Sequence, residues 1–269
     1  MGADTSWTFE PGAILALVVM TGAYLVRWRR ARATAGPAAA SGWRLVSFLS
    51  GVLLLAAALI SPLDRLAEQA FVMHMVQHLL LIDIASVLMI LGLTKVILRP
   101  ATKRLQRIER SAGFFGGPVF AIILYVVVMW VWHVPALYDA ALEAGTVHVL
   151  EHVLFASAGL LYWWHLLSPI RSRRRLGGMG PVVYMLITKL LVGLLGIALT
   201  FAPEALYGFY ENQRPIWGLT PETDQQGAGA VMAIEQSIVM GIALVFLFVY
   251  ALQESERDEQ RAERFGTTG

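Results

Sequence analysis

The chain has 269 residues, of which 57% are hydrophobic and 15% are charged, and its formal net charge is +2. A soluble domain this apolar would lack a water-compatible surface, so a lipid bilayer is the expected solvent. The absence of cysteine excludes disulfides, thiolate metal sites and cysteine nucleophiles. The basic residues form short clusters beside apolar stretches, as membrane topology requires, and we expect no binding to nucleic acid.

Apolar windows long enough to cross a hydrocarbon core of about 30 Å occur seven times along the chain. They cover approximately residues 11–26, 43–60, 71–93, 114–134, 147–167, 181–201 and 228–252. Arginines follow the first window and acids precede it, the reverse of a cleavable signal peptide, so we expect it to be retained. The sequence therefore predicts an all-α fold, a polytopic transmembrane helical bundle over residues 1–252. Residues 253–269 are predicted to form a cytoplasmic tail that is partly disordered.

The Lys and Arg residues predict the orientation, because cytoplasmic loops collect positive charge. Of the 21, 18 fall in the segments after windows one, three and five and in the tail. Arg65 and Arg214 fall on the other side, and Lys189 lies within window six. This distribution predicts an amino terminus outside and a carboxyl terminus in the cytoplasm.

Five of the six histidines lie at the predicted outer ends of their helices. These are His74, His78, His133, His148 and His152. Two pairs have i, i+4 spacing, which places both rings on one helical face and is typical of metal ligands. A single histidine near a membrane interface more often forms a simple hydrogen bond. Five at one depth favour a functional site, because intramembrane ionisable groups are costly.

We predict a metal site that contains His78, His152 and at least one of the other three histidines. Imidazole suits copper, zinc and iron, and thioether favours Cu(I), so copper leads and zinc or haem follows. Supporting roles are predicted for nearby side chains, as acceptors for an imidazole N–H or as soft ligands. These are Glu151, Glu235, Met75 and Met232.

An alternative is a zinc peptidase. Residues 148–152 read HVLEH and match the HxxEH pattern, in which two histidines bind zinc and the glutamate is the base. The match leaves His74, His78 and His133 unexplained. A copper-binding or haem-binding transport or redox protein is a further alternative.

Two ionisable residues are predicted in the middle of the membrane. Asp83 lies about 18 Å below the outer end of its span, and Lys189 about 12 Å above the inner end of its own. Across a core of about 30 Å these depths coincide. We therefore predict that Asp83 and Lys189 pair or share a polar network.

Most of the chain resembles the CtaG-like bacterial cytochrome c oxidase assembly factors. The resemblance is carried by SPLD at 61–64, HMVQH at 74–78, WHVPALY at 132–138, HVLEH at 148–152, and DQQ at 224–226 with Gly229 and Met232. One departure is Ala233, where the family tends to have tryptophan.

The resemblance implies a non-enzymatic role in assembling haem-copper oxidase. The protein would sit in the bacterial plasma membrane and help copper reach the oxidase on the outer side. Its expected partners are oxidase subunits or other copper chaperones. The resemblance carries over to the five histidines, with Asp224 and Gln225 as outer-loop supports.

Overall fold

The computed structural model is 80% helical. It describes residues 2–170, 174 and 176–266, which contain no strand. The all-α class is therefore confirmed. Arg171, Arg173 and Arg175, which contribute to the predicted orientation, and residues 267–269 of the predicted tail lie outside the described residues.

The helices are numbered in chain order. They are α1 Pro11–Ala35, α2 Gly42–Ile60, α3 Pro62–Ala67, α4 Phe71–Gly92, α5 Lys95–Ser111, α6 Pro118–Trp132, α7 Pro135–Glu143, α8 Gly145–Leu167, α9 Gly180–Thr200, α10 Gly208–Glu211, α11 Pro221–Glu235 and α12 Gly241–Gly266. Two π-helical segments, Leu80–Ile84 within α4 and Gln236–Met240 between α11 and α12, widen the helical turn.

Four of the described helices, α1, α2, α4 and α9, are long and apolar enough to cross a membrane. Helices α6 and α7 together are a fifth candidate, but the chain bends by 77° between them. Helix α8 occupies the fifth predicted window. It is not among these candidates, because its histidines and Glu151 lower its mean hydropathy. The seventh predicted window contains the π-helical segment between α11 and α12. The structure thus supports a helical membrane protein with four or five candidate spans.

The sequence prediction did not include the helices α3, α5, α7 and α10. Helix α5 carries the six basic residues after α4, and its one buried residue is Ile97. Arg27 of α1 donates through Nε to the carbonyl oxygen of Ile97 at 3.1 Å. The basic segment is therefore a helix docked against α1 rather than an irregular loop.

Helices α1, α2 and α4 pack through a small aromatic and polar contact. The rings of Tyr24 and Phe48 stack with centroids 3.7 Å apart. The Tyr24 hydroxyl donates to the carbonyl oxygen of Gly92 at 3.0 Å, and Ser47 donates to that of Leu88 at 2.7 Å. In an apolar environment such bonds between helices fix their relative position.

Glycine permits the close approach of the two helices that carry the histidine pairs. A Cβ at Gly159 of α8 would collide with the carbonyl group of Ile82 in the π-helical part of α4. Small residues at such crossings let backbones pack closely, which compensates for the weak driving force between helices in lipid. The faces of α4 and α8 that carry His78 and Glu151 are thereby brought into contact.

Candidate metal centre

The start of α4 is fixed by a side chain from α11. Asp224 accepts hydrogen bonds from the backbone N–H groups of Phe71 at 2.6 Å and Val72 at 2.9 Å. These are donors in the first helical turn that the helix cannot satisfy itself. Gln225 holds the preceding loop, because its Oε1 accepts from Leu206 at 2.7 Å and its Nε2 donates to Glu204 at 3.0 Å.

A buried glutamine sets the rotation of α4. Gln77 donates through Nε2 to the carbonyl oxygen of Ala58 and to Asp64, both at 2.8 Å. His74 and His78 are fully buried on the side of α4 that faces α8. Phe155 of α8 stacks on the ring of His78 with centroids 4.2 Å apart.

Four side chains from α4 and α8 converge on one point. One ligand atom from each of His74, His78, Glu151 and His152 lies within 4.8 Å of the others. The Nε2 atoms of His74 and His78 are 2.8 Å apart. Glu151 approaches these two atoms at 3.8 Å and 3.6 Å. This set of three imidazoles and one carboxylate is a candidate metal centre, which we call the His–Glu cluster.

The polar atoms of the His–Glu cluster are poorly satisfied by the protein. Among the described residues, no hydrogen-bond partner is found for either oxygen of Glu151, for Nδ1 of His74 and His78, or for Nε2 of His152. Leaving such groups unpaired in a buried site costs about 1–3 kcal/mol each. A cation bound by the Glu151 carboxylate and His152 Nε2, together with the Nε2 atoms of His74 and His78, would compensate the cost at the first two residues. The donor set therefore fits a copper or zinc ion.

His148 lies next to the His–Glu cluster but outside the group of four. Its ring centroid is 4.2 Å from that of His152 and 5.4 Å from that of His74. Its Nε2 is buried and also lacks a hydrogen-bond partner among the described residues. His148 is half-buried, whereas His74 and His78 are fully buried.

His133 is held at the corner between α6 and α7, outside the His–Glu cluster. Pro135 lacks a backbone N–H and disfavours a helical conformation at Val134, which ends α6 there. The ring of His133 contacts the Met129 carbonyl oxygen through Nδ1 at 2.6 Å and the Met75 sulfur through Nε2 at 3.2 Å. The predicted ligand His133 and the predicted soft ligand Met75 thus contact each other.

Asp83 has other partners than the predicted one. Its carboxylate accepts bonds from the Tyr125 hydroxyl at 2.7 and 2.8 Å and from Trp163 Nε1 at 2.7 Å. Glu235 also interacts with Asp83, and Gln236 donates to Glu235 at 3.0 Å. No ion pair between Asp83 and Lys189 is found within the described part of the chain. That the two residues pair or share a polar network stays a prediction. Lys189 follows the fully buried Thr188, and one step of about 100° turns it to a half-buried position.

The two remaining supporting residues, Met232 and Glu235, contact other parts of the protein. Met232 is buried where α11 crosses α9 and lies near Gly196. Glu235 belongs to the polar group around Asp83 and, among the described residues, is not an acceptor for the cluster's imidazole N–H groups. Glu235 is not in the group of four ligand atoms.

An aromatic layer, which sequence reasoning did not assign to the site, covers the cluster. Tyr138 contacts His74 with ring centroids 5.0 Å apart, and it also packs on Phe71 and Tyr207 at 5.1 and 4.4 Å. Tyr210 joins the layer and donates to the carbonyl oxygen of Ala67 at 2.7 Å. The sequence feature that could have indicated a role for Tyr138 is its position in the WHVPALY segment. The segment 203–227 thus supplies two of the aromatic side chains that shield the cluster.

The fold and the cluster define a class of protein: a helical membrane protein with a buried site of three histidines and one glutamate between two helices. A family comparison goes further. The chain belongs to the cytochrome c oxidase caa3 assembly factor family (Caa3_CtaG), whose model matches residues 22–254.

Comparisons with individual proteins and with solved structures do not add a function. An uncharacterized protein of Mycobacterium leprae (strain TN) is 22% identical to this chain over 284 residues, which cover 97% of this chain and 41% of that protein. The chain therefore spans about two fifths of the length of this relative. No solved structure matches the chain.

Proposed function

We propose that this oxidase assembly factor binds a copper ion as cargo at the His–Glu cluster and hands it to the oxidase. The observation that carries the proposal is the convergence of His74, His78 and His152 with Glu151. Copper forms stable bonds with imidazole, and a caa3-type oxidase is a haem-copper enzyme, so the family supplies the destination. The role is that of a carrier and is non-enzymatic.

The structure of the cluster suits transfer as well as binding. The carboxylate compensates part of the cation's charge in a medium where an uncompensated charge is expensive. His148 lies one turn further towards the start of α8 and could take over a ligand position as the ion moves. The aromatic layer of Tyr138, Tyr207 and Tyr210 would limit access of water to the ion.

The proposal places the cluster at the extracytoplasmic side of the bacterial plasma membrane. The support is the charge distribution, in which 18 of 21 Lys and Arg residues fall on one side of seven windows. In this topology α8 is a span despite its polar face, and α11 and α12 together form the last span. The partners are oxidase subunits or other copper chaperones, and lipid surrounds the helices.

The direct test is the metal content of detergent-purified protein after loading with Cu(II) or with zinc and desalting. Wild type should retain about one ion per chain, and His78→Ala and His152→Ala should retain far less. His165→Ala is the matched control, because His165 is on α8 at its other end and is absent from the group of four. Thermal unfolding of each variant separates loss of the site from loss of the fold.

Two outcomes would remove the proposal. Wild type that retains neither copper nor zinc would leave the His–Glu cluster without a ligand. Variants that retain metal as wild type does would show that the ion binds elsewhere. In cells, deletion of the gene should leave the oxidase polypeptides present but inactive, and wild type should restore activity while His78→Ala should not.

A zinc peptidase is the second candidate, because both oxygens of Glu151 lack partners among the described residues, as a general base would. Such an enzyme would cleave a peptide substrate, and Glu151→Gln would abolish cleavage while zinc stays bound. A carrier would show no cleavage in either form, and Glu151→Gln would lower its metal content. A haem protein, in contrast, would show a Soret band after purification.

A further inference from the structure

The backbone determines which ring nitrogen of His133 carries a hydrogen. Its Nδ1 lies 2.6 Å from the carbonyl oxygen of Met129. A carbonyl oxygen has no hydrogen to give, so Nδ1 must be the donor in this bond. In a neutral imidazole the other nitrogen, Nε2, then carries a lone pair and no hydrogen.

This lone pair faces a second atom that also lacks a hydrogen. The thioether sulfur of Met75 lies 3.2 Å from His133 Nε2. Neither a thioether sulfur nor the Nε2 of this neutral ring carries a hydrogen, so the contact between the neutral side chains is not a hydrogen bond. Two atoms that can act as ligands for a soft cation therefore lie on the same side of the site, 3.2 Å apart.

Protonation of Nε2 is the alternative way to satisfy this contact. It would create an imidazolium ion where His133 is 6% exposed and Met75 is 1% exposed. Among the described residues, the His–carboxylate ion pairs involve His74 and His78 and leave His133 without a counter-charge. A buried charge without a partner is strongly disfavoured, so the neutral ring is the form this environment selects.

We infer that His133 Nε2 and Met75 Sδ form a second metal site, which binds a soft monovalent cation of the Cu(I) type. Thioether ligands select Cu(I), whereas the carboxylate of the His–Glu cluster suits a harder, divalent ion. Met75 follows His74 directly on α4, and successive residues rise by only about 1.5 Å, so the two sites adjoin. The inference goes beyond the proposed function, because this soft site needs neither Glu151 nor His78.

Silver(I) is the probe, since it is a soft monovalent cation that is not oxidised under these conditions. Purified full-length protein is loaded with silver alone or with Cu(II) alone, desalted, and analysed for bound metal. Wild type should retain a silver ion that Met75→Leu loses, while Met75→Leu should retain Cu(II) as wild type does. Leucine replaces methionine with little change in volume, so the fold should persist.

The control is Met185→Leu, which removes an equally buried methionine on α9 and should leave silver binding unchanged. His78→Ala should lose Cu(II) but keep silver. Silver retained by Met75→Leu, or absent from wild type, overturns the soft site. Silver lost from His78→Ala also overturns it, because the ion would then sit in the His–Glu cluster. Silver bound at Met75 with no Cu(II) bound anywhere would overturn the proposed function alone.

Discussion

At the scale of single residues, Glu151 is the source of negative charge in the His–Glu cluster. It is the only acid among the four side chains that converge, and it is fully buried. In a low-dielectric site its charge attracts a cation much more strongly than it would in water. Its neighbours are imidazoles, which supply ligand atoms but no compensating charge when neutral.

Glu151→Gln should therefore lower the affinity for Cu(II) by at least about 10–100-fold, the range seen when even a side chain that only supports the ligands is removed. Glutamine keeps the size of the side chain, so the unfolding temperature should change little. Affinity is measured by competition with a chelator in detergent. Glu143→Gln, the same substitution at an exposed position on α7, should bind Cu(II) as wild type does. Equal affinity in the two variants would show that the carboxylate is not a ligand.

Asp224 affects stability by capping the first turn of α4. It satisfies the N–H groups of Phe71 and Val72 from outside α4. Asp224→Ala should cost about 0.5–2 kcal/mol of stability, as loss of a capping side chain does, and lower the unfolding temperature by a few degrees. Asp224→Asn keeps one acceptor oxygen and should lose less. A thermal unfolding series of the three proteins checks this order, and an alanine variant as stable as wild type would contradict it.

At the scale of helices, the contact between α4 and α8 determines the geometry of the cluster. A Cβ at Gly159 would meet the backbone of Ile82, which cannot rotate away as a side chain can. Gly159→Ala should therefore force the helices apart, at a cost of about 1–3 kcal/mol. Because His78 lies on one helix and Glu151 on the other, Cu(II) affinity should fall together with the unfolding temperature.

Gly193→Ala is the matched control for this experiment. Gly193 is within α9, and a Cβ there would have nothing within 4 Å. Alanine has the higher helix propensity, so this variant should be as stable as wild type or slightly more stable. Equal unfolding temperatures for Gly159→Ala and Gly193→Ala would show that the close approach of α4 and α8 does not limit stability.

The sequence predicted the helices well where apolar runs end at Pro or Gly. Helix α9 begins at Gly180 against a predicted 181, and α2 ends at Ile60 as predicted. The i, i+4 spacing likewise predicted that each histidine pair shares a face, because helical geometry fixes it. Metal binding at these pairs stays a prediction.

The rest depended on helix order and on bends, which periodicity does not contain. Asp83 and Lys189 match in predicted depth, but depth does not specify which helices are neighbours. The hydrogen-bond donors to Asp83 in the structure are Tyr125 and Trp163. The position of His133 follows from the 77° bend after α6, which separates it from the group of four. The motif containing Pro135 predicted the end of a helix but not the direction of the next one.

At the scale of the whole molecule, the number of crossings decides on which side the cluster opens. Four crossings, by α1, α2, α4 and α9 alone, would leave both termini on one side. Seven crossings place them on opposite sides, with the 18 basic residues of the inner segments in the cytoplasm. Moving such clusters through the membrane is costly, since each Lys or Arg at the centre of a span costs about 2.5–3.5 kcal/mol.

Single cysteines can test this topology cleanly, because the chain has none of its own. Ser6→Cys and Asn212→Cys should react with a membrane-impermeant maleimide applied to spheroplasts, while Ser111→Cys and Ser255→Cys should react only after lysis. All four positions are exposed, so differences in reactivity report the side of the membrane. Permeabilised cells, in which every variant should react, are the control.

Labelling of Ser6→Cys and Ser255→Cys on the same side would mean an even number of crossings. Protection of Asn212→Cys would place the loop between α9 and α11, and with it the aromatic layer over the His–Glu cluster, on the cytoplasmic side. Copper would then have to reach the cluster from within the cell.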